Sequence, residues 1–131
     1  MTEDEQAAII IAALDDALAP AKAYEYGDVP GSNGNAGVTP ERYVLVDLSR
    51  RFVAGRLLSG EARTKGWRLG TRYVAKLTAD ARTLRQRVTN TLENRIIRTP
   101  AGDEVGPFVF ESAEAIRPDD GYQSGSDVWT F

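Results

Sequence analysis

GWRLGTRYVAKLTADARTLRQRVTNTL, residues 66–92, carries two apolar periods in succession. From Gly66 to Leu77 the residues alternate. Trp67, Leu69, Thr71, Tyr73, Ala75 and Leu77 fall on one side; Arg68, Gly70, Arg72, Val74 and Lys76 fall on the other. A period of two is that of a strand with one buried face. At Thr78 the period changes. Ala81, Leu84, Val88 and Leu92 recur at helical spacing, and Thr78 is the expected N-cap of a helix over residues 79–94. A strand running directly into an amphipathic helix calls for a sheet with a helix laid on one face.

Upstream, residues 42–52 alternate in the same way. Val44, Val46 and Leu48 oppose Tyr43, Leu45 and Asp47, so an antiparallel hairpin with the 66–77 strand is predicted. Its connection, Val53 to Lys65, is long and basic. Residues 21–26 read as a short strand, and residues 27–41, with four glycines and two prolines, as a long loop. Upstream, Thr2 and Glu5 fit a capping box. Ala7, Ile10, Ile11, Leu14, Ala17 and Leu18 follow at helical spacing, and Pro20 ends the run, giving a helix over residues 3–18. Ile9 lies off that stripe. In the last third, Ile96 and Ile97 are expected to form a hairpin with residues 106–112 across a Pro100–Asp103 turn. Residues 118–121 read as a further turn, and residues 127–131 as a short final strand. Two helices, each with one apolar stripe, and a mostly antiparallel sheet give a two-layer α+β sandwich. At 131 residues, one domain spanning 1–131 is expected.

The composition removes whole classes of chemistry. There is no cysteine and no histidine, so thiol nucleophiles, disulfides, Cys/His zinc sites and histidine general bases are excluded. The longest apolar run, Ala7 to Leu14, is too short to span a bilayer, so no membrane partner is expected. Acidic residues stand where a signal peptide carries positive charge, and assembly in a cytoplasm is expected. The glycines between Gly31 and Gly37 are not followed by the Lys-Ser or Lys-Thr of a phosphate loop. Asp15-Asp16 and Asp119-Asp120 are poorly placed as catalytic pairs. No catalytic residue, cofactor or metal site is predicted.

Charge is distributed unevenly. Residues 42–98 hold 14 Lys and Arg against 4 Asp and Glu, a local charge of +10; the remainder carries −13. Acidic and basic elements either neutralise each other within one fold or meet across a contact between subunits. A nucleic-acid surface is the third reading, and a small enzyme built on carboxylates and arginine a more remote fourth. Arginine outnumbers lysine 13 to 3, which favours ordered, bidentate contacts.

The element order resembles that of the tail terminator proteins of long-tailed bacteriophages. Gly66-Trp67-Arg68-Leu69 running into Arg72-Tyr73-Val74-Ala75, then Ala81 to Val88, is similar to the strand–helix core of terminators from phages of actinobacteria. Asp119-Asp120-Gly121-Tyr122 and Ser124 to Phe131 resemble that group's C-terminal strand. The resemblance implies a hexameric ring in the virion neck. Such a ring caps the tail tube, ends its growth and joins the tail to head-completion proteins, while DNA passes through the lumen without specific binding. Another neck or connector ring is the alternative. The resemblance carries over no catalytic residue. By position, Arg56, Leu57, Leu58, Arg63 and Lys65 are expected at a stacking contact, and Arg68, Arg72 and Lys76 at a contact between subunits. Trp129 and Phe131, expected on an edge strand, either close the core or join a neighbour's sheet.

Overall fold

The computed structural model describes residues 1–51 and 66–131. Residues 52–65 lie outside them, and with them Arg56, Leu57, Leu58, Arg63 and Lys65. The described chain runs α1 (Glu3–Leu18), β1 (Lys22–Glu25), β2 (Arg42–Arg51), β3 (Gly66–Ala75), α2 (Thr78–Leu92), β4 (Ile97–Arg98), β5 (Glu104–Val105), β6 (Val109–Asp119) and β7 (Tyr122–Thr130). A five-stranded sheet has the order β1-β2-β3-β7-β6, and β4 and β5 form a separate pair. All neighbours in the large sheet are antiparallel except β1 and β2. This is the expected α+β arrangement of a mostly antiparallel sheet and two helices.

The alternation in β2 and β3 sets the layers. Val44, Val46, Leu69, Tyr73 and Ala75 turn to the helices and join Ile10, Leu14, Leu18, Leu84, Val88 and Leu92 in one core. α1 starts on the expected capping box. The Glu5 N–H donates to Thr2 Oγ1 at 3.1 Å, and the Thr2 N–H donates to Glu5 Oε2 at 2.8 Å. Its last turn has no basic residue of its own. Instead Arg87 reaches over from α2 and donates to the Leu18 and Ala19 carbonyls, each at 3.4 Å, placing a cation at the negative helix end. Ile9 and Ile11 both pack partly against the core, so the buried face of α1 is wider than a single stripe.

Four boundaries differ from the sequence reading. The N-cap of α2 is Leu77, extended and without a side-chain cap, and Thr78 is the first helical residue. Ala81 N–H already bonds the Leu77 carbonyl, one residue earlier than a Thr78 cap would allow. The partner of β4 is β5, not residues 106–112. Phe108 exchanges backbone hydrogen bonds with Asn94 and Arg95 at the end of α2, which redirects the chain into the large sheet. β6 and β7 are long strands joined through Asp120 (φ 49°) and Gly121 (φ 83°), a two-residue turn with both φ positive. Finally, β7 is internal, between β3 and β6, so the C-terminus is not an edge.

Candidate functional site

One face of the sheet is covered by the helices. Among the described residues no element covers the other, and there the expected Arg68, Arg72 and Lys76 stripe lies. Its charges find partners inside the molecule. Arg68 forks onto Glu111 of β6, with Nε–Oε2 at 3.3 Å and Nη2–Oε1 at 3.2 Å. Arg72 donates to Ser124 Oγ at 3.1 Å and stands 4.0 Å from Glu114. Ser124 Oγ in turn donates to Asp119 at 2.9 Å. Lys76 Nζ sits 4.0 Å from the centre of the Tyr122 ring. Beside it, Tyr24, Tyr43 and Tyr122 form a row of edge-to-face contacts at 6.2 and 6.4 Å. Burial, followed by the neighbouring Tyr122 and Asp119, raises the Tyr43 phenol above its ordinary value. Exposed ion pairs of this kind add little stability each. Together they lay the basic stripe of β3 against the acids of β6, so part of the charge asymmetry is neutralised within the fold.

Beneath the sheet, against α2, lies a polar cluster in the core. Trp129 is fully buried and its Nε1–H donates to Thr71 Oγ1 at 3.1 Å. Thr71 Oγ1 is 2.8 Å from Tyr73 Oη, which donates to Asp127 Oδ2 at 2.7 Å. Arg85 stands 3.5 Å from the same carboxylate oxygen, and its Nη2 donates to the Glu114 carbonyl at 2.6 Å. Trp129 therefore belongs to the core. Phe131 packs its ring on Phe108 at 4.6 Å and exchanges backbone bonds with Trp67, so it too closes the molecule.

Burial, the largest effect on Tyr73, pushes its phenol far above the ordinary value of 10. An unfolded chain would ionise this phenol near pH 10 while the folded chain keeps it neutral. The unfolded state then binds fewer protons, so stability falls as pH rises past about 10. Absorbance titration of the five tyrosines should show one that ionises only as the chain unfolds, and Tyr73→Phe should remove that component.

The two edges of the sheet differ. β1 is closed: Asp15 Oδ1 on α1 accepts the Ala23 N–H at 2.7 Å, taking up a donor that an incoming strand needs. Among the described residues β6 pairs only with β7. Of its eleven residues only Ile116 is not exposed, and Val109 and Phe110 are about half exposed. A groove flanks this edge on each side. One, of 560 Å³, runs between Arg72, Glu114, Arg117 and Asp119. The other, of 280 Å³, lies between α2 and β6 against Phe110, Ala113 and Trp129. A strand added to β6 would direct alternate side chains into the two grooves.

Gly125 lets β6 lie where it does. A Cβ there would come 2.8 Å from Ile116 Cγ1 and 3.0 Å from both Ile116 Cα and Arg85 Nη2. Gly125→Ala should displace β6 at its bulge and destabilise the fold by about 1–3 kcal/mol, read by denaturant unfolding. β6 carries little signal in the sequence, because Ala113 and Ala115 are too small to mark a buried face and Pro118 argues against a central strand. Pro118 was the available signal, since prolines in sheets sit at edges.

Among the described residues no three acids converge as a metal site. No model of a known protein family and no curated protein matches the sequence.

Proposed function

We propose that the protein is a structural component of a bacteriophage neck, a tail terminator that assembles as a ring, hexameric by the resemblance. It caps the tail tube, stops its growth and joins it to the head-completion proteins, after folding in the host cytoplasm. DNA passes the ring without specific binding. The observation that carries the reading is the β6 edge: eleven residues with one strand partner among the described residues, flanked by two grooves, on a sheet whose other edge is closed. Natural monomers cover or shorten such edges; a long open one is a site of strand addition. β6 is assigned here to the axial neighbour, the tube protein or the head-completion protein. A different connector ring would use the same surface, and position in the particle separates the two. The pairing of Arg68 and Arg72 with Glu111, Ser124 and Glu114 counts against the nucleic-acid reading, because it sets carboxylates among the cations.

The test is Val109→Lys with Ala113→Lys. Both positions are exposed, so stability should change by no more than about 0.5 kcal/mol per site. The doubly substituted protein should keep its fold and its solution mass and lose the capping of tail tubes. Capping at the wild-type level would remove β6 from the account.

A further inference from the structure

Of the two grooves beside β6, the one against α2 is the more apolar. Phe110, Ala113 and Trp129 form its floor, and Phe110 meets Trp129 edge-on at 5.8 Å. Arg85, Thr89 and Glu93, four residues apart on one side of α2 and its C-cap, form its wall. Sites for free small molecules occupy about 300–1,000 Å³, so a groove of 280 Å³ has room for little more than one side chain. Ala113 leaves that space. It pairs with Asp127 of β7, whose carboxylate turns to Arg85, so the Ala113 methyl lies on the α2 side of the sheet. On a strand added to β6, the residue opposite Ala113 has its Cβ about 4.5–5.5 Å away and points the same way. Its two neighbours on that strand point to the open face, where Glu114 stands by Arg72 and Ser124 bridges Arg72 to Asp119. The groove therefore selects one residue of the incoming strand.

The lining says which residue fits. The floor is aromatic and apolar and suits a ring. The wall holds a hydroxyl and a carboxylate, Thr89 and Glu93, and suits a ring that ends in a hydrogen-bond donor. Arg85 in the same wall disfavours a lysine or arginine at this position. We infer that β6 receives an extended strand of its axial neighbour with a tyrosine opposite Ala113, the ring on Phe110 and Trp129, the phenol O–H donating at the Thr89–Glu93 wall, and small or hydroxylated residues on either side. This assignment rests on the reading of β6 given above and names the residue by which the neighbour is recognised. A second copy's β6 is the other occupant that an open edge admits. That strand contains no tyrosine, and self-pairing would stop at a two-fold dimer.

The experiment needs no tails. The full chain is extended beyond Phe131, which follows the Thr130–Val109 pair at the start of β6, by a flexible linker and a strand of threonines with one central tyrosine. A Gly/Ser linker of about twelve residues has a root-mean-square reach of roughly 20 Å, enough to lay the strand along β6. Tethering holds the strand at an effective concentration in the millimolar range. Threonine suits either face of a strand, so the tyrosine alone reads the groove. Hydrogen exchange of the β6 amides reports strand addition, and the Ala113 methyl resonance reports a ring stacked on it. The tyrosine strand should slow exchange by about tenfold or more relative to a strand with serine in its place, and a phenylalanine strand should fall between them. Thr89→Val with Glu93→Ala should erase the advantage of tyrosine over phenylalanine, and Ala113→Leu, which fills the groove at an exposed position, should erase the protection by both. Equal protection by serine and tyrosine strands, protection that survives Ala113→Leu, or no protection by any strand overturns the inference. So does a β6 already protected in the unextended chain together with a doubled solution mass, which gives the edge to a second copy. Strand addition without preference would remove the tyrosine and leave the axial reading of β6 standing. Loss of that reading, with tubes left uncapped while the tyrosine strand still binds, would leave the groove assignment standing.

Discussion

Trp129→Ala should be the most damaging single truncation in the chain. The indole is fully exposed to other side chains and not at all to water. It sits in β7 opposite Leu69, touches Phe110 edge-on at 5.8 Å, and bonds Thr71 through Nε1. Removing a buried tryptophan deletes apolar area and leaves a cavity in a sheet that is held by β3 on one side and β6 on the other, so collapse is limited. The expected loss is about 3–5 kcal/mol. For a domain of this size that lowers Tm by roughly 10–20 °C. Trp129→Phe keeps most of the volume and loses the N–H. Thr71 keeps its Tyr73 partner, so this variant should lose only about 1–2 kcal/mol. If Trp129→Ala melts within a few degrees of wild type, the residue is not the core member described here, and the reading of the C-terminal aromatics as an exposed contact returns.

The second large effect is at Asp127. This carboxylate accepts from Tyr73 and faces Arg85 at 3.5 Å, with only 5% of its side chain exposed against 26% for Arg85. Asp127→Ala leaves the guanidinium without its counter-charge and the buried phenol without its acceptor. Breaking one partner of a buried pair costs about 3–5 kcal/mol, and the partial exposure of Arg85 places this one at the lower end. Asp127→Asn separates the two effects. The amide oxygen still accepts from Tyr73, and the charge alone is lost. The double variant Asp127→Asn with Arg85→Met removes the unpaired cation and should recover part of the loss, whereas independent sites would give additive losses. Equilibrium unfolding in denaturant reads all three. The network links β3, β7 and α2, and through the Glu114 carbonyl it also holds β6.

The parts of the fold that could be read in the sequence are those where one physical signal dominates. α1 was legible at both ends because Thr2 and Glu5 form a capping box and Ala7, Ile10, Leu14 and Leu18 repeat at one helical face. β2 and β3 were legible because large apolar residues alternate with polar ones across a sheet with one covered face. β6 and the first half of β7 were not. Gln123-Ser124-Gly125-Ser126 has the composition of a loop, and it is a strand because Gly125 admits the close approach of β6 and Ser124 bridges Arg72 to Asp119. Those contacts span far-apart positions, and local propensity carries no trace of them. The same holds for the surface. The Arg68/Arg72 stripe was visible as a pattern, but its partners Glu111 and Glu114 lie on the strand that was not. From the sequence alone, with the strand order unknown, Trp129 and Phe131 read as edge residues; with β6 outside β7, Trp129 is buried core and Phe131 packs partly against it.

The function proposed above has this domain join a stack of other proteins at a tube end. Negative-stain imaging of purified tail tubes, from a long-tailed phage of an actinobacterial host, tests it most directly when done before and after adding the purified protein. Rings seated on tube ends, and tubes that no longer lengthen when tube protein is supplied, are the expected result. Bare ends and continued growth, with the protein remaining a monomer by light scattering, would contradict it.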